Sequence, residues 1–321
     1  MMRKKAVVTE PIHSKGLEIL RTGAEVIYLP ELPGKTLGDV IGEAHAIAVR
    51  VAKIGRDLLE RANNLMVIAK HGVGYDNIDI EAASEKRVVV VYTPRDNAES
   101  VAEHNLGLML SLSKKIVTSD RVLRQGRFGR REDYIGVELM GKKLGLIGLG
   151  RIGSTLASLC QSAFSMDIIA YDPYVPKEKA EQLGITKAEE IDELLPKADY
   201  VVICVPLTKE TTNLIGDREL SLMKPGSFLV NSSRGGIVDE KALYNHLTKG
   251  KIAGAAMDVF VNEPPPSDHP LLSLDNFIAT PHIAGVTQEA TRRMAVTVAE
   301  EILRVFRGER PKFPVNPEVF D

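Results

Sequence analysis

One stretch constrains the fold of this chain more than any other: residues 143–153, which read KLGLIGLGRIG. A short apolar run leads directly into Gly148, Gly150 and Gly153, and residues that favour a helix follow. A buried strand, a tight glycine turn and a helix start are the context in which this glycine spacing binds a dinucleotide. In that context Gly148 permits the turn, Gly150 lets backbone approach a pyrophosphate, and Gly153 lets helix and strand pack closely.

An acidic residue further along the chain indicates which dinucleotide to expect. A second apolar run, residues 168–171, ends in Asp172, which lies 24 positions after Gly148. A carboxylate at about this distance accepts hydrogen bonds from the adenosine ribose hydroxyls and repels a 2′-phosphate. We therefore predict NAD as the cofactor. The alternative is an ordinary glycine-rich turn in a doubly wound sheet.

Length and composition narrow the class of protein. The 321 residues are enough for two domains, and a net charge of −2 with interspersed acids and bases favours neither nucleic acid nor a membrane surface as partner. No apolar run approaches the ~18 residues of a membrane span, and the first apolar run is too short for a signal peptide. The two cysteines, Cys160 and Cys204, lie in apolar patterns that predict buried thiols. We expect a cytoplasmic protein without a metal site.

The order of apolar runs predicts two α/β domains. Short β-branched runs alternate with helical patterns through the first hundred residues, at 6–8, 26–29, 46–49, 66–69 and 88–91. Continuous runs of this kind imply a parallel sheet covered on both faces. A last helix, from about residue 287 to 306, is long enough to return to this first domain. We predict two doubly wound parallel-sheet domains separated by a cleft: a flavodoxin-like substrate-binding domain (residues 1–98 and 287–321) and an inserted Rossmann NAD-binding domain (residues 99–286).

Three polar segments each follow an apolar run, so each can lie at the carboxyl end of a strand, where open α/β sheets bind ligands. They are residues 231–236, 258–265 and 280–285. Arg234 can clamp a carboxylate and polarise the adjacent carbonyl, and His282 can donate a proton near neutral pH. Glu263 can favour the protonated imidazole and fix its tautomer. Taken singly, each has an ordinary alternative as a surface arginine, an exposed loop carboxylate or a loop histidine.

Several longer motifs occur in order along most of the chain. They are HGVGYDNID at 71–79, the glycine stretch at 148–153, PLTKET at 206–211, MKPG at 223–226, NSSRGGIVD at 231–239, residues 254–265 and the Pro-His pair at 281–282. With these motifs the chain resembles the D-isomer-specific 2-hydroxyacid dehydrogenase family, in particular its phosphoglycerate-dehydrogenase-like branch. We expect no C-terminal regulatory domain of the kind that some of those enzymes carry.

The resemblance implies roles for individual residues. It implies a catalytic set of Arg234, Glu263 and His282, and it places the substrate carboxylate near the amides of Val73 and Gly74, with Arg50 near the pocket mouth. The cofactor contacts that follow from the glycine stretch, the candidate strand ends and the resemblance are Gly148, Gly150, Arg151, Ile152, Gly153, Asp172, Val205, Pro206, Thr211, Ser232, Ser233, Asp258 and Gly285. It also implies a homodimer formed through the NAD-binding domain, which would give the polar stretch 124–133 and the helix before it a role in the interface. The alternative for that stretch is a solvated surface.

The predicted activity is NAD-dependent interconversion of a small D-2-hydroxy acid and its 2-oxo acid, of the hydroxypyruvate, glyoxylate or 3-phosphoglycerate type. Val51 and His71 depart from residues common in phosphoglycerate enzymes and weigh against a phosphorylated substrate. One alternative of another class remains, because NAD-responsive corepressors share the same fold and catalytic set. Those proteins usually carry a long disordered tail.

Overall fold

The computed structural model describes residues 3–320 of the chain. It divides into two compact units, Met1–Asn97 with Val286–Asp321, and Ala98–Gly285. We call them the outer unit and the inserted unit. Among the helices that the structure describes, none combines the length and the apolar character that a bilayer crossing requires.

The strands in the described part of the chain are short. In chain order they are β1 (Lys5–Val8), β2 (Glu25–Tyr28), β3 (Ala46–Val49), β4 (Val67–Lys70), β5 (Val89–Val91), β6 (Lys143–Ile147), β7 (Asp167–Tyr171), β8 (Thr186–Ala188), β9 (Tyr200–Ile203), β10 (Phe228–Asn231), β11 (Gly254–Met257) and β12 (Phe277–Ala279).

Helices connect and flank these strands. They are α1 (Ser14–Gly23), α2 (Leu37–Val40), α3 (Arg56–Glu60), α4 (Ile80–Glu85), α5 (Ala98–Ser113), α6 (Ile116–Arg124), α7 (Arg151–Phe164), α8 (Lys177–Gln182), α9 (Ile191–Leu194), α10 (Asp217–Leu222), α11 (Glu240–Thr248) and α12 (Gln288–Phe306). Short 3₁₀ helices occur at Leu29–Glu31, Ile41–Glu43, Arg131–Tyr134, Pro270–Ser273 and Pro317–Phe320.

The outer unit contains a five-stranded parallel sheet in the order β2-β1-β3-β4-β5. Successive side chains of a strand point to opposite faces, so Ala6 and Val8 pack into one buried cluster and Val7 into the other. Residues of α1 and α12 fill the first cluster, and residues from α2, α3 and α4 fill the second. Both faces of the sheet are covered, which is why its strands are largely apolar.

The inserted unit contains a seven-stranded parallel sheet in the order β12-β11-β10-β9-β6-β7-β8. The chain runs outward from β6 through β7 to β8, then returns to the other side of β6 with β9. The order therefore reverses between β6 and β9, and such a switch point is where doubly wound sheets bind ligands. The prediction of two parallel-sheet α/β domains is confirmed by the two sheets.

One strand of this sheet was not predicted. β8 reads Thr-Lys-Ala and pairs only with β7, at the sheet edge. An edge strand has a neighbour on one side, so its sequence is less constrained toward apolar residues than that of a central strand. Pairing with β7, rather than local composition, makes this segment extended.

A buried histidine lies at the end of β4 in the outer unit. His71 is 4% exposed, and neither of its ring nitrogens has a hydrogen-bond partner among the described residues. Burial lowers the pKa of His71 to about 4, and the nearby charge of Arg50 acts in the same direction. The imidazole is therefore neutral at physiological pH.

This burial makes stability depend on pH. His71 takes up a proton more readily in the unfolded chain than in the folded one, so its contribution is present above its unfolded pKa and is lost as the pH falls toward 4. The full loss corresponds to about 3 kcal/mol. We expect denaturant titrations at pH 7.5, 5.5 and 4.5 to show a smaller pH dependence of unfolding in His71→Leu than in the wild type. An equal change of unfolding free energy with pH in the two proteins would contradict this role of His71.

Candidate functional site

The glycine stretch forms the turn between β6 and α7 that the sequence predicted. Gly148 has φ +99°, a backbone conformation that side chains disfavour. A Cβ at Gly153 would lie 2.3 Å from the carbonyl oxygen of Gly148, so only glycine lets the first helical turn pack this closely. A Cβ at Gly150 would meet no atom within 4 Å. The turn is thus tightly packed at Gly148 and Gly153, whereas Gly150 borders open space.

Helix α7 presents its first turn without a competing side chain. It begins at Arg151, followed by Ile152, and its N-cap residue Gly150 has no side chain that could cap the first amides. The first turn also contains no acidic residue. Unpaired N–H groups and the helix dipole make such an N-terminus suited to an anion such as a pyrophosphate.

Asp172 is fixed beside this turn. Its Oδ2 accepts a hydrogen bond from the amide of Leu149 at 2.8 Å, and its Oδ1 accepts one from the amide of Tyr174 at 2.9 Å. The carboxylate is therefore held at the end of β7, next to the glycine turn. This is the position from which an acidic residue reaches an adenosine ribose in a dinucleotide-binding fold.

The segment after β9 lies against the same turn. The carbonyl oxygen of Cys204 and a methyl group of Val205 would lie 2.6 and 2.9 Å from a Cβ at Gly148. Pro206 follows, and its carbonyl accepts a hydrogen bond from Thr211 Oγ1 at 2.7 Å. The predicted cofactor contacts at Val205, Pro206 and Thr211 thus occupy one short, internally bonded loop next to the switch point.

The two serines after β10 both form hydrogen bonds with other residues of the inserted unit. Ser233 Oγ donates to the carbonyl of Ile203 at 2.8 Å, and Ser232 Oγ donates to Asn105 Oδ1 at 2.7 Å. Asn105 is completely buried on α5, and its side-chain nitrogen has no partner within the described residues. These bonds hold the start of the loop that carries Arg234.

The Arg234 loop packs tightly on the loop that carries Glu263. A Cβ at Gly235 would lie 2.0 Å from the carbonyl oxygen of Phe260, so a larger residue would displace one loop from the other. Arg234 itself is half-buried, and one of its Nη atoms donates to the carbonyl of Ser233 at 2.7 Å. Glycine at position 235 therefore permits the close approach of the two loops.

Glu263 and His282 form a hydrogen-bonded pair. Glu263 Oε2 lies 2.7 Å from His282 Nδ1, across 19 positions of sequence. The other carboxylate oxygen, Oε1, accepts a hydrogen bond from the amide of Phe260 at 3.0 Å. Both side chains are partly exposed, at 38% and 47%. A carboxylate fixed at both oxygens thus orients an imidazole whose Nε2 edge is left for a ligand.

Asp258 holds the loop that carries His282. The carboxylate of Asp258 is completely buried and accepts hydrogen bonds from the amides of Ile283 (2.9 Å) and Ala284 (2.8 Å) and from Thr280 Oγ1 (2.5 Å). Its backbone carbonyl accepts the amide of His282 at 2.8 Å. These bonds maintain His282 at φ +54°, a conformation that costs a non-glycine residue roughly 1–3 kcal/mol.

Asp258 was predicted as a cofactor contact, and the structure gives it this anchoring position. Gly285, another predicted contact, follows directly after the anchored segment. His104 on α5 was not predicted: its Nε2 lies 3.1 Å from Thr280 Oγ1, and burial lowers its pKa. It falls within an apolar-periodic helix, so only its spatial neighbours single it out.

The predicted substrate contacts Arg50, Val73 and Gly74 lie in loops after β3 and β4 of the outer unit. The Arg50 loop is held by Glu10, which the sequence did not single out. The carboxylate of Glu10 accepts the amides of Arg50 (2.8 Å), Val51 (3.0 Å) and Ala52 (2.6 Å). The loop is therefore braced by an internal anion at the carboxyl edge of the sheet.

The strand order, the glycine turn at the switch point and the uncapped N-terminus of α7 define the inserted unit as a dinucleotide-binding domain of the Rossmann class. The open position at Gly150 fits such a ligand. Residues 106–284 match the family model described as "D-isomer specific 2-hydroxyacid dehydrogenase, NAD binding domain". The chain belongs to the D-isomer specific 2-hydroxyacid dehydrogenase family.

Individual relatives cover almost the whole chain. A D-3-phosphoglycerate dehydrogenase from Methanocaldococcus jannaschii is 45% identical over 97% of this chain, which spans 59% of that relative's length. A glyoxylate reductase from Thermofilum pendens is 38% identical over 99% of this chain and 96% of the relative.

Solved structures agree in fold. The TT0316 protein from Thermus thermophilus has a TM-score of 0.88 at 35% identity, covering 97% of this chain and 99% of that one. An NADPH-dependent glyoxylate/hydroxypyruvate reductase from Sinorhizobium meliloti, in complex with NADP and malonate, has a TM-score of 0.85 at 30% identity, covering 99% and 98% of the two chains. The relatives of this chain are therefore of more than one substrate type.

Proposed function

We propose that this protein is an NAD-dependent oxidoreductase that interconverts a small D-2-hydroxy acid and its 2-oxo acid. The observation that carries the proposal is the 2.7 Å contact between Glu263 Oε2 and His282 Nδ1, on loops that follow β11 and β12. A histidine oriented by a carboxylate at the ligand-binding edge of a Rossmann sheet is suited to move a proton as hydride moves. Membership of the family supports the same function.

The residues have distinct tasks in the reductive direction. NADH, when bound, supplies the hydride that reduces the carbonyl carbon. Arg234 binds the substrate carboxylate and polarises the adjacent carbonyl, because its planar fork matches both oxygens. His282 donates the proton from Nε2 to the new alkoxide oxygen, and Glu263 favours the protonated imidazole and keeps Nδ1 engaged. The product is the 2-hydroxy acid, and the reverse reaction returns the proton to His282.

Each unit supplies binding residues of its own. In the inserted unit the cofactor is held by the glycine turn, the start of α7, Asp172 and the loops after β9, β10 and β11. In the outer unit the amides of Val73 and Gly74 and the side chain of Arg50 are the substrate contacts that the family resemblance implies. Support for the Arg50 assignment comes from Glu10, whose carboxylate holds three successive amides of that loop in place.

The proposal is tested by loss of NADH absorbance with a panel of 2-oxo acids: hydroxypyruvate, glyoxylate, pyruvate, 2-oxoglutarate, phenylpyruvate and phosphohydroxypyruvate. We expect turnover of hydroxypyruvate or glyoxylate. Val51 and His71 lie beside the predicted substrate loops and depart from the residues common in phosphoglycerate enzymes, which weighs against a phosphorylated substrate. A strong preference for phosphohydroxypyruvate would instead identify a phosphoglycerate-type enzyme. Tight NADH binding without turnover of any compound would overturn the enzymatic proposal in favour of an NAD-responsive binding protein.

Cofactor preference is expected to depend on Asp172. Its carboxylate is fixed beside the glycine turn and would face the 2′-phosphate of NADPH, and like charges in contact cost several kcal/mol. We expect kcat/KM with NADH to exceed that with NADPH by about 100-fold or more. Asp172→Ala should narrow this ratio, whereas Asp167→Ala, an exposed acid at the start of β7, should leave it unchanged. Comparable values for both cofactors in the wild type would refute the assignment.

A homodimer formed through the inserted unit is part of the proposal. Helix α6 has no buried residue, although apolar side chains recur along it. Together with the segment that follows, it exposes Leu123 (60%), Phe128 (80%) and Ile135 (72%). Large exposed apolar side chains that recur along one segment are typical of an interaction surface. A second copy of the chain is the partner that the family resemblance implies.

The dimer is tested by light scattering after size exclusion. We expect the wild type to have twice the chain mass and the double variant Leu123→Asp/Phe128→Asp to be monomeric, because each chain would bury two unpaired charges in the interface. Tyr174→Asp, at a 91% exposed position elsewhere in the same unit, should remain dimeric. A monomeric wild type would contradict the proposal.

A further inference from the structure

A second histidine–carboxylate pair lies behind the loop that carries Glu263. Glu240 Oε2 lies 3.1 Å from His269 Nε2, and the two side chains are only 17% and 13% exposed. Glu240 is the first residue of α11, where a helix N-terminus stabilises negative charge. His269 Nδ1 is buried and has no partner in the described part of the chain, so Nε2 is the ring nitrogen that donates to Glu240.

This pair contacts the Glu263 loop at two points. Glu240 Oε1 accepts a hydrogen bond from the amide of Val261 at 2.8 Å, and the ring of His269 packs edge-on against Phe260 with centroids 5.5 Å apart. The amide of Phe260 in turn donates to Glu263 Oε1 at 3.0 Å. A continuous series of contacts therefore connects Glu240 to the carboxylate that orients His282.

The backbone of this loop lacks the ladder bonds of a helix or strand. Residues 260–263 follow β11 and form no regular secondary structure. The glycine at position 235 allows the Arg234 loop to pack on Phe260. The hydrogen bond from the Val261 amide to Glu240 holds the other side of this loop in place, because Glu240 lies in the first turn of α11.

We propose that Glu240 is a positioning residue for the Glu263–His282 pair, acting through the amide of Val261 and through His269. This inference rests on the proposed function. Loss of the amide acceptor frees residues 260 and 261 to move, and Glu263 moves with them. A displacement of about 1 Å at a reacting group can cost 100-fold in rate. The effect falls on kcat, since Glu240 lies outside the groups proposed to contact cofactor and substrate.

Two variants at position 240 separate positioning from stability. Glu240→Ala removes the acceptor for Val261, and we expect kcat to fall by about 10–100-fold while KM for the 2-oxo acid and Kd for NADH stay within about threefold. Glu240→Gln keeps a carbonyl oxygen for the Val261 amide. Its NH₂ group, however, forces a proton onto the buried Nδ1 of His269. We expect the glutamine variant to retain kcat within about threefold and to have a lower melting temperature.

A matched control lies in the same unit. His246 is buried and bonded at 2.9 Å to Asp217, a pair of the same chemistry that links α11 to the start of α10 instead of to the Glu263 loop. Asp217→Ala should therefore leave kcat unchanged. Glu240→Asp, too short to reach the Val261 amide, provides a second measurement should the alanine variant not fold, and we expect it to lose kcat as well.

Activity of the His282 and Glu240 variants distinguishes the positioning role from the proposed function. If His282→Ala abolishes turnover but Glu240→Ala and Glu240→Asp retain it, the positioning role is wrong and the proposed function stands. Parallel losses of kcat and melting temperature in the alanine and glutamine variants would also overturn the positioning role, because the damage would be structural only. If His282→Ala turns over as the wild type does, the proposed function itself fails.

Discussion

Replacing His282 with alanine is expected to lower kcat for 2-oxo acid reduction by about 10²–10⁴-fold, the range that a positioned general acid contributes. The reason is geometric. Glu263 Oε2 engages Nδ1 at 2.7 Å, and the loop is anchored by the buried Asp258, so the imidazole presents one edge in one orientation. The measurement is steady-state NADH oxidation at saturating 2-oxo acid.

Two controls accompany this variant. NADH affinity, measured by fluorescence titration, should be within about twofold of the wild type, because the glycine turn and Asp172 are unaffected. His13→Ala, which replaces a histidine that caps α1 in the outer unit, should leave kcat unchanged. Wild-type turnover in His282→Ala would exclude His282 as the proton donor.

The second large effect is expected at Arg234. Changing Arg234 to lysine retains the charge but loses the planar fork, so one charge-assisted hydrogen bond to the substrate is lost. Such a bond is worth about 1.5–3 kcal/mol, which corresponds to roughly a 10–150-fold lower kcat/KM. We expect most of this loss as a higher KM for the 2-oxo acid, with Kd for NADH unchanged.

A matched arginine tests whether the effect is local. Arg218 forms a bidentate pair with Asp192 on the surface of the same unit, with contacts of 2.6 and 3.0 Å. Arg218→Lys removes the same geometry away from the candidate site, and surface ion pairs contribute little to stability. It should leave KM unchanged. An unaltered KM in Arg234→Lys would show that Arg234 does not bind the substrate.

The loops of the candidate site are held by internal hydrogen bonds. The proposed substrate is small, so its recognition depends on a few charged and amide groups held in place rather than on a large apolar pocket. Asp258, Glu10 and Ser233 each bond to backbone or neighbouring loops at the carboxyl edges of the sheets. These bonds restrict the loops that carry the residues proposed to act on the substrate.

Much of the fold could be predicted from local pattern. The apolar runs at residues 6–8, 46–49 and 88–91 are continuous because both faces of a parallel sheet are buried, and such runs become strands wherever they can pair. The glycine turn was equally predictable, since a Cβ at Gly153 would collide with the backbone of Gly148. These constraints operate between neighbours in sequence, so the sequence alone expresses them.

The tertiary structure decided what depends on contacts between distant segments. The pairing of Glu263 with His282 spans 19 positions, that of Glu240 with His269 spans 29, and Glu10 bonds to amides 40 to 42 positions away. No local pattern encodes these bonds, because they arise only when parallel strands bring their loops to one edge of a sheet. The sequence by itself determined the apolar strands, the turn and the residue types available for chemistry. The tertiary structure determined the edge strand β8, and the strand order determined which of the reactive residues meet.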